Sequence, residues 1–169
     1  TAVNTRDLIP AGFAKVTELA WGEMLVLREL AVSAIRPEHW GARAAIDRHR
    51  LFNAYIIHGL ESDRRVLFAG DTANTSVFDA INGLDLAIFG IGAYEPWDHA
   101  HASPEQVWSM YTRRGKGRKG RETCLLPMHH ATFDLGERYA SEPIERMLEA
   151  AASRRDAIVC PAIGDVWTQ

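Results

Sequence analysis

Apolar residues come first in short extended runs and later in runs separated by helical spacing. The chain therefore reads as strands followed by strands alternating with helices. Extended segments are predicted at 15–21 (KVTELAW), 24–30 (MLVLREL) and 31–35 (AVSAI). The runs at 53–59 (NAYIIHG) and 64–70 (RRVLFAG) flank LESD, a short polar connection suited to a hairpin. Residues 84–92 (LDLAIFGIG) form a continuous apolar run ending in glycine, the form of a strand buried on both faces. A second buried strand is predicted at 122–128 (ETCLLPM), and 156–164 (DAIVCPAIG) closes the chain as another.

Helical signals lie between these runs. Thr75 or Ser76 offers a cap to a short helix with Val77, Phe78 and Ile81 on one face. At 103–114 Ser103 stands at the cap, Pro104 in the first turn and Glu105 behind it, an order suited to a helix start and its dipole. At 141–152, Ile144, Met147, Leu148 and Ala151 recur at i, i+3, i+4 and i+7 behind a capping Ser141. The order predicts an α/β fold with helices packed on a mixed, largely antiparallel sheet.

Length allows one domain, residues 1–169, and no repeat or linker divides it. Apolar residues make up 47% and charged residues 24%, which is a globular composition. A net charge of −3 argues against a nucleic-acid partner. No run approaches the roughly 18 apolar residues of a membrane span, and the N-terminus lacks the pattern of a signal peptide. Cytoplasmic placement is the expectation, with Cys124 and Cys160 as buried free thiols. The absence of an initiator Met reads as a processed product or a fragment. The run RRGKGRKGR (113–121) has six basic residues in nine and is predicted to be a flexible, solvated loop. It is either an ordinary charged loop or an anion-binding lip for phosphate headgroups or nucleic-acid backbone.

Three apolar runs stop at residues of the metal-ligand type. AIRPEHW delivers His39, LFAGDT delivers Asp71, and LLPMHH delivers His129 followed by His130. Imidazole plus carboxylate suits Zn²⁺, with Fe²⁺ and Mn²⁺ as alternatives. Singly each residue has an ordinary explanation. A histidine after a strand is commonly a hydrogen-bonded structural residue, and Asp71 suits a cap for the turn at Asn74 and Thr75. Their shared position at strand ends raises the metal reading.

FAGDT, PEHW, GIGAYEP, HASPEQ and PMHHATF, in these spacings, resemble the metallo-β-lactamase superfamily over about residues 8–165. The resemblance is to the branch of N-acylphosphatidylethanolamine-hydrolysing phospholipase D and related metal-dependent hydrolases, with ascorbate-phosphate lactonases more distant. It implies an αββα sandwich of which this chain is the C-terminal half. It also implies a two-metal site, most simply zinc, whose bound hydroxide attacks a phosphodiester or a lactone. By the same resemblance His39 completes the first metal site, Asp71 bridges the metals and His129 serves the second site. His101 assists at the reacting group, and Tyr94, Glu95 and His101 line or brace the substrate cleft. The superfamily's HxHxDH run is absent; DRHR (47–50) and DHAH (98–101) have the wrong pattern. The implied chain is a partial domain, inactive alone, that pairs as a homo-oligomer or with a complementary half and takes a small or phospholipid-like anionic substrate. The alternative is a non-catalytic half-fold acting as an assembly module.

Overall fold

The computed structural model describes residues 1–42, 45–133 and 139–168, the side chain of Ala45 excepted. Six strands form one sheet in the order β1 to β6: β1 (Met24–Leu27), β2 (Leu30–Ile35), β3 (Ala54–Gly59), β4 (Arg65–Phe68), β5 (Leu86–Gly90) and β6 (Cys124–Met128). β1 through β4 pair antiparallel, while β4–β5 and β5–β6 pair parallel. The sheet is therefore mixed, as predicted.

Register explains the core. Ile56, Leu67, Ala87 and Leu125 are cross-strand partners in one row, so all four side chains share a face. Phe89 stands two residues beyond Ala87 on that same face. Two helices cover it: α1 (Pro104–Arg113) and α2 (Glu142–Ala151), which also pack on each other. Leu67, Phe89, Leu125, Val107, Met110 and Met147 are fully buried between these layers.

The predicted cap of α1 is present. The Ser103 side chain accepts from the Gln106 amide, and Gln106 answers with its side chain on the Ser103 amide, closing a capping box. Ser141 departs from expectation: it precedes α2 with helical backbone angles, so its hydroxyl caps nothing. Arg146 of α2 instead grips Glu105 of α1 through two bonds of 2.8 and 2.9 Å. Partial burial alone would raise the Glu105 carboxyl, yet Arg146, the helix start and Ser103 outweigh it and hold the pKa below the ordinary value. A carboxyl depressed in the folded state stabilises above its unfolded pKa of about 4.3, and the contribution fades as pH falls through the folded value. The pair is half-exposed, so Glu105→Gln is expected to cost no more than about 1 kcal/mol at neutral pH. In urea unfolding, that difference should vanish in acid; a difference that persists there would exclude the ion pair as its source.

Several extended predictions are corrected. Among the described residues, 15–21 form no strand; they meet the N-terminus through a parallel bridge of Leu19 to Ala2 and a bond from the Thr1 amino group to the Thr17 carbonyl. Side chains take the place of a partner strand there: Asn53 donates to the Leu19 carbonyl and Glu23 accepts from the Ala20 amide. The 24–35 stretch divides at Arg28 and Glu29, where Arg28 turns with φ +52°, rather than after Leu30. Residues 156–164 join β6 only at Ile158 opposite Leu125, because Cys160 (φ +52°) and Pro161 turn the chain away. The short helix near 75–81 is a pair of turns in which Asp79 and Ile81 amides donate three residues back. Cys124 and Cys160 are free, as expected, but only half-buried.

The basic run is only partly a solvated loop, since Arg113, Lys116, Lys119 and Arg121 are exposed while two of its arginines turn inward. Arg114 is buried, and Arg118 donates to both oxygens of Asp85 at 3.0 and 3.1 Å. Arg118 begins a 3₁₀ turn, Arg118–Gly120, that holds the loop against the sheet. On the other side of the sheet, Leu25, Leu27, Val32, Tyr55 and Ile57 share an apolar hollow with Phe13 and Leu19. Among the described residues no helix is long and apolar enough to cross a membrane.

Candidate metal centre

The antiparallel and parallel registers put the ends of β2, β4, β5 and β6 on one edge of the sheet. Ile35 lies opposite Ala54, Tyr55 opposite Phe68, Phe68 opposite Ile88, and Gly90 opposite Met128. His39, Asp71 and His129 follow three of these ends. Gly70 makes the approach to Asp71, with φ +67°, a conformation that glycine adopts without strain.

Three loops meet there and are stapled by backbone bonds. The Ala73 amide donates to the Glu38 carbonyl at 2.6 Å, and the Ala102 amide donates to the Thr72 carbonyl at 2.7 Å. The buried Thr72 hydroxyl accepts from the Glu38 amide at 3.1 Å and donates to the Ala73 carbonyl at 3.0 Å. Thr72 is thus the residue that holds the 37–40 loop to the 71–73 loop. Sequence reasoning missed it, although it stands in GDT directly after the carboxylate.

Among the described residues one group of potential ligands results. Donor atoms of His39, Asp71 and His101 all lie within 4.8 Å of one another. His39 Nδ1 lies 3.0 Å from the Ala100 carbonyl, so it must donate and Nε2 keeps the lone pair. The His101 ring meets His39 edge-on at 5.2 Å between centroids and stacks on His129 at 5.4 Å with 14° between planes. Burial lowers the His101 pKa against the opposing pull of Asp71, and His39 and His129 lower it further. A neutral imidazole is the form that binds a metal.

Gly90 at the end of β5 lets the ligand loops close. A Cβ there would lie 3.3 Å from Asp71 Oδ1 and 3.6 Å from the His129 Cβ. Asp71 and His129 therefore flank the same glycine. His129 itself is exposed and holds φ +59°, an uncommon conformation for a residue with a Cβ. The turn-cap reading of Asp71 finds no support, since among the described residues no hydrogen bond reaches its carboxylate. The donor set of two or three imidazoles and one carboxylate fits a divalent metal of the zinc type. Sequence reasoning had kept His101 apart from the ligands, as an acid or oxyanion partner; the fold sets its ring between His39 and His129.

Tyr94 and Glu95 part company. Tyr94 is buried, with the Arg146 guanidinium 4.6 Å above its ring. Glu95 is exposed and shares a surface hollow with Tyr139, Glu142, Arg146 and Glu149.

Comparison with known proteins agrees with this architecture. An uncharacterized protein of Mycobacterium tuberculosis is 29% identical over 158 residues, covering 89% of this chain and 40% of its own length. The N-acyl-phosphatidylethanolamine-hydrolyzing phospholipase D 1 of Caenorhabditis elegans is 28% identical over 174 residues, covering 92% of this chain and 47% of its own. The chain thus spans less than half the length of these relatives. A candidate metal-dependent hydrolase from Veillonella parvula superposes with a TM-score of 0.61 at 14% identity, over 87% of this chain and 57% of the other. A second such hydrolase candidate, from Parabacteroides distasonis, gives 0.54 at 18% identity over 83% and 55%. Likeness at these identities concerns the fold alone. The family model of the Beta-lactamase superfamily domain matches residues 2–130, and this chain belongs to that family.

Proposed function

We propose that this chain carries one wall of a metal-dependent phosphodiesterase, with His39, Asp71 and His129 as metal ligands. The observation that carries the reading is the grouping of His39, Asp71 and His101 at one sheet edge, on loops fixed by Thr72. Zinc is the metal that this donor set favours, with Mn²⁺ and Fe²⁺ as alternatives. When bound, the metals lower the pKa of a water and polarise the phosphoryl group.

The chain's own residues have separable tasks. Asp71 offers two oxygens and is the ligand able to face two metals. His39, oriented by the Ala100 carbonyl, presents Nε2. His101 lies between His39 and His129 and either completes the ligand set or donates a proton to the leaving oxygen. A phosphodiester is preferred over a lactone because the nematode relative hydrolyses a phospholipid. Structural and catalytic zinc sites use three or four protein ligands, so two metals need more than this chain's described residues supply. The remaining ligands come from a complementary half, in the same parent protein or a second copy.

Hydrolysis of bis-p-nitrophenyl phosphate with added Zn²⁺ or Mn²⁺ tests the reading. The chain alone is expected to be nearly inactive. A longer form extended upstream is expected to turn over, and to lose at least about 10²-fold in rate with His101→Ala, the usual range for an acid–base group. A longer form that loads metal and cleaves no phosphodiester would exclude this substrate class.

A further inference from the structure

The opposite end of the parallel strands carries a second feature that the hydrolase reading does not use. A cavity of about 370 Å³ lies beneath the basic run and is lined by Tyr111, Arg114, Lys116, Gly117, Arg121 and Thr123, with Glu122 and Arg154 also on its wall. It lies at the start of β6, whereas His129 follows the end. Five residues of strand put the two about 15 Å apart.

We propose that this cavity is a binding site for a small phosphate monoester. Arg114 is the central observation. Its residue is only 7% exposed, and its guanidinium donates to Thr123 Oγ1 at 3.2 Å. Its Nε is buried with no acceptor, and among the described residues no carboxylate pairs with it. The face of Tyr111, 5.3 Å from the guanidinium carbon, accounts for the tolerance of a cation there but leaves that donor unpaired. A buried donor without a partner is costly, and a buried charge more so. Arg114 lines the cavity, so an anion seated there would offset the cost of its buried charge.

The lining suits a phosphate in charge and in number of acceptors. Arg114, Lys116 and Arg121 have no carboxylate partner among the described residues. Glu122, the one acid on the wall, is engaged by Arg154. A terminal phosphate carries three oxygens, enough for the Arg114 fork and for two further cations, where a carboxylate carries two.

The loop is already shaped. The Gly83 amide donates to the Lys116 carbonyl at 2.9 Å, the Arg118 amide to the Leu84 carbonyl at 3.2 Å, and Arg118 clamps Asp85. Gly117 passes so close to the segment leading into β6 that a Cβ would lie 2.3 Å from the Arg121 carbonyl oxygen and 2.9 Å from the Thr123 amide nitrogen. A site held this way has little ordering left to do on binding, which favours affinity. The inference stands apart from the metal centre and does not depend on it.

The test is a titration of the ¹⁵N-labelled chain with inorganic phosphate and with glycerol 3-phosphate, at constant ionic strength set by chloride. The Arg114 Nε–H resonance is expected to shift saturably with both. Lys116 and Arg121 are exposed, so the double variant Lys116→Gln/Arg121→Gln should fold with an unchanged thermal midpoint. It should bind about tenfold or more weakly, as expected for lost charge-assisted contacts. An Arg114 Nε–H that stays unmoved by either phosphate would overturn the proposal, and so would a double variant that binds as the wild type does. Retention on phosphatidylcholine vesicles containing phosphatidic acid, with no response to soluble phosphate, would overturn it in favour of a membrane surface.

Discussion

Asp71→Asn is expected to abolish stoichiometric binding of a divalent metal by this chain, with His39→Ala doing the same. Asparagine keeps the size of the side chain and removes the charge, so the fold should persist while the ligand fails. Even residues that only orient a ligand cost 10- to 100-fold in metal affinity when removed. Loss of the ligand itself should exceed that. Atomic emission on chains dialysed against a zinc buffer, with calorimetry for affinity, reads the outcome. Unchanged metal in both variants would mean that the grouping of His39, Asp71 and His101 is a set of polar neighbours and nothing more. The two variants together matter, because the carboxylate and the imidazole come from loops after different strands.

Phe89→Ala is expected to produce the largest loss of stability. Phe89 is completely buried on β5 and meets Phe78 edge-to-face, with centroids 5.4 Å apart. Truncating a buried phenylalanine costs about 3–5 kcal/mol through lost transfer energy and the cavity left behind. Domains are commonly stable by about 5–15 kcal/mol, so this single change should bring the chain near its unfolding limit. Phe89→Leu, which leaves less empty space, should cost clearly less. Urea midpoints measure both, and an alanine variant with a wild-type midpoint would contradict the packing described for β5. Metal affinity should fall with the fold in this variant, since Gly90, next in sequence, spaces Asp71 from His129.

The central strands were legible because their apolar residues run continuously, as in β5, where Leu86, Ala87 and Phe89 are buried. β5, β6, the hairpin of β3 and β4, and α1 with its Ser103 cap follow from the sequence within a few residues. Residues 15–21 and 156–164 misled because the same apolar content serves to pack a loop against a sheet. What separates the two cases is the partner of each backbone group, here the side chains of Asn53 and Glu23, and no local pattern records that. Ser141 shows the same limit: its type suits a cap, but helical angles at that residue turn the hydroxyl to no use. In the site, His39, Asp71 and His129 were visible as the residues where apolar runs stop. The place of His101 beside them depends on the Ala102 amide meeting the Thr72 carbonyl, a contact across thirty positions of sequence that spacing does not reveal. The basic run misled through its composition, since six cations suggest solvent and only the fold shows Arg114 turned inward.

The staples around Thr72 have a consequence for how the metal centre opens. Glu38, Ala73 and Ala102 amides each point at a neighbouring loop, so freeing one ligand loop releases donors on the others. The three loops then share one opening equilibrium instead of fraying separately. A metal that binds only the closed arrangement would lengthen the lifetime of all three together, by a factor set by its concentration relative to its dissociation constant. Amide exchange at Ala102, a position that touches no metal, would then report occupancy of the site as faithfully as the ligands themselves.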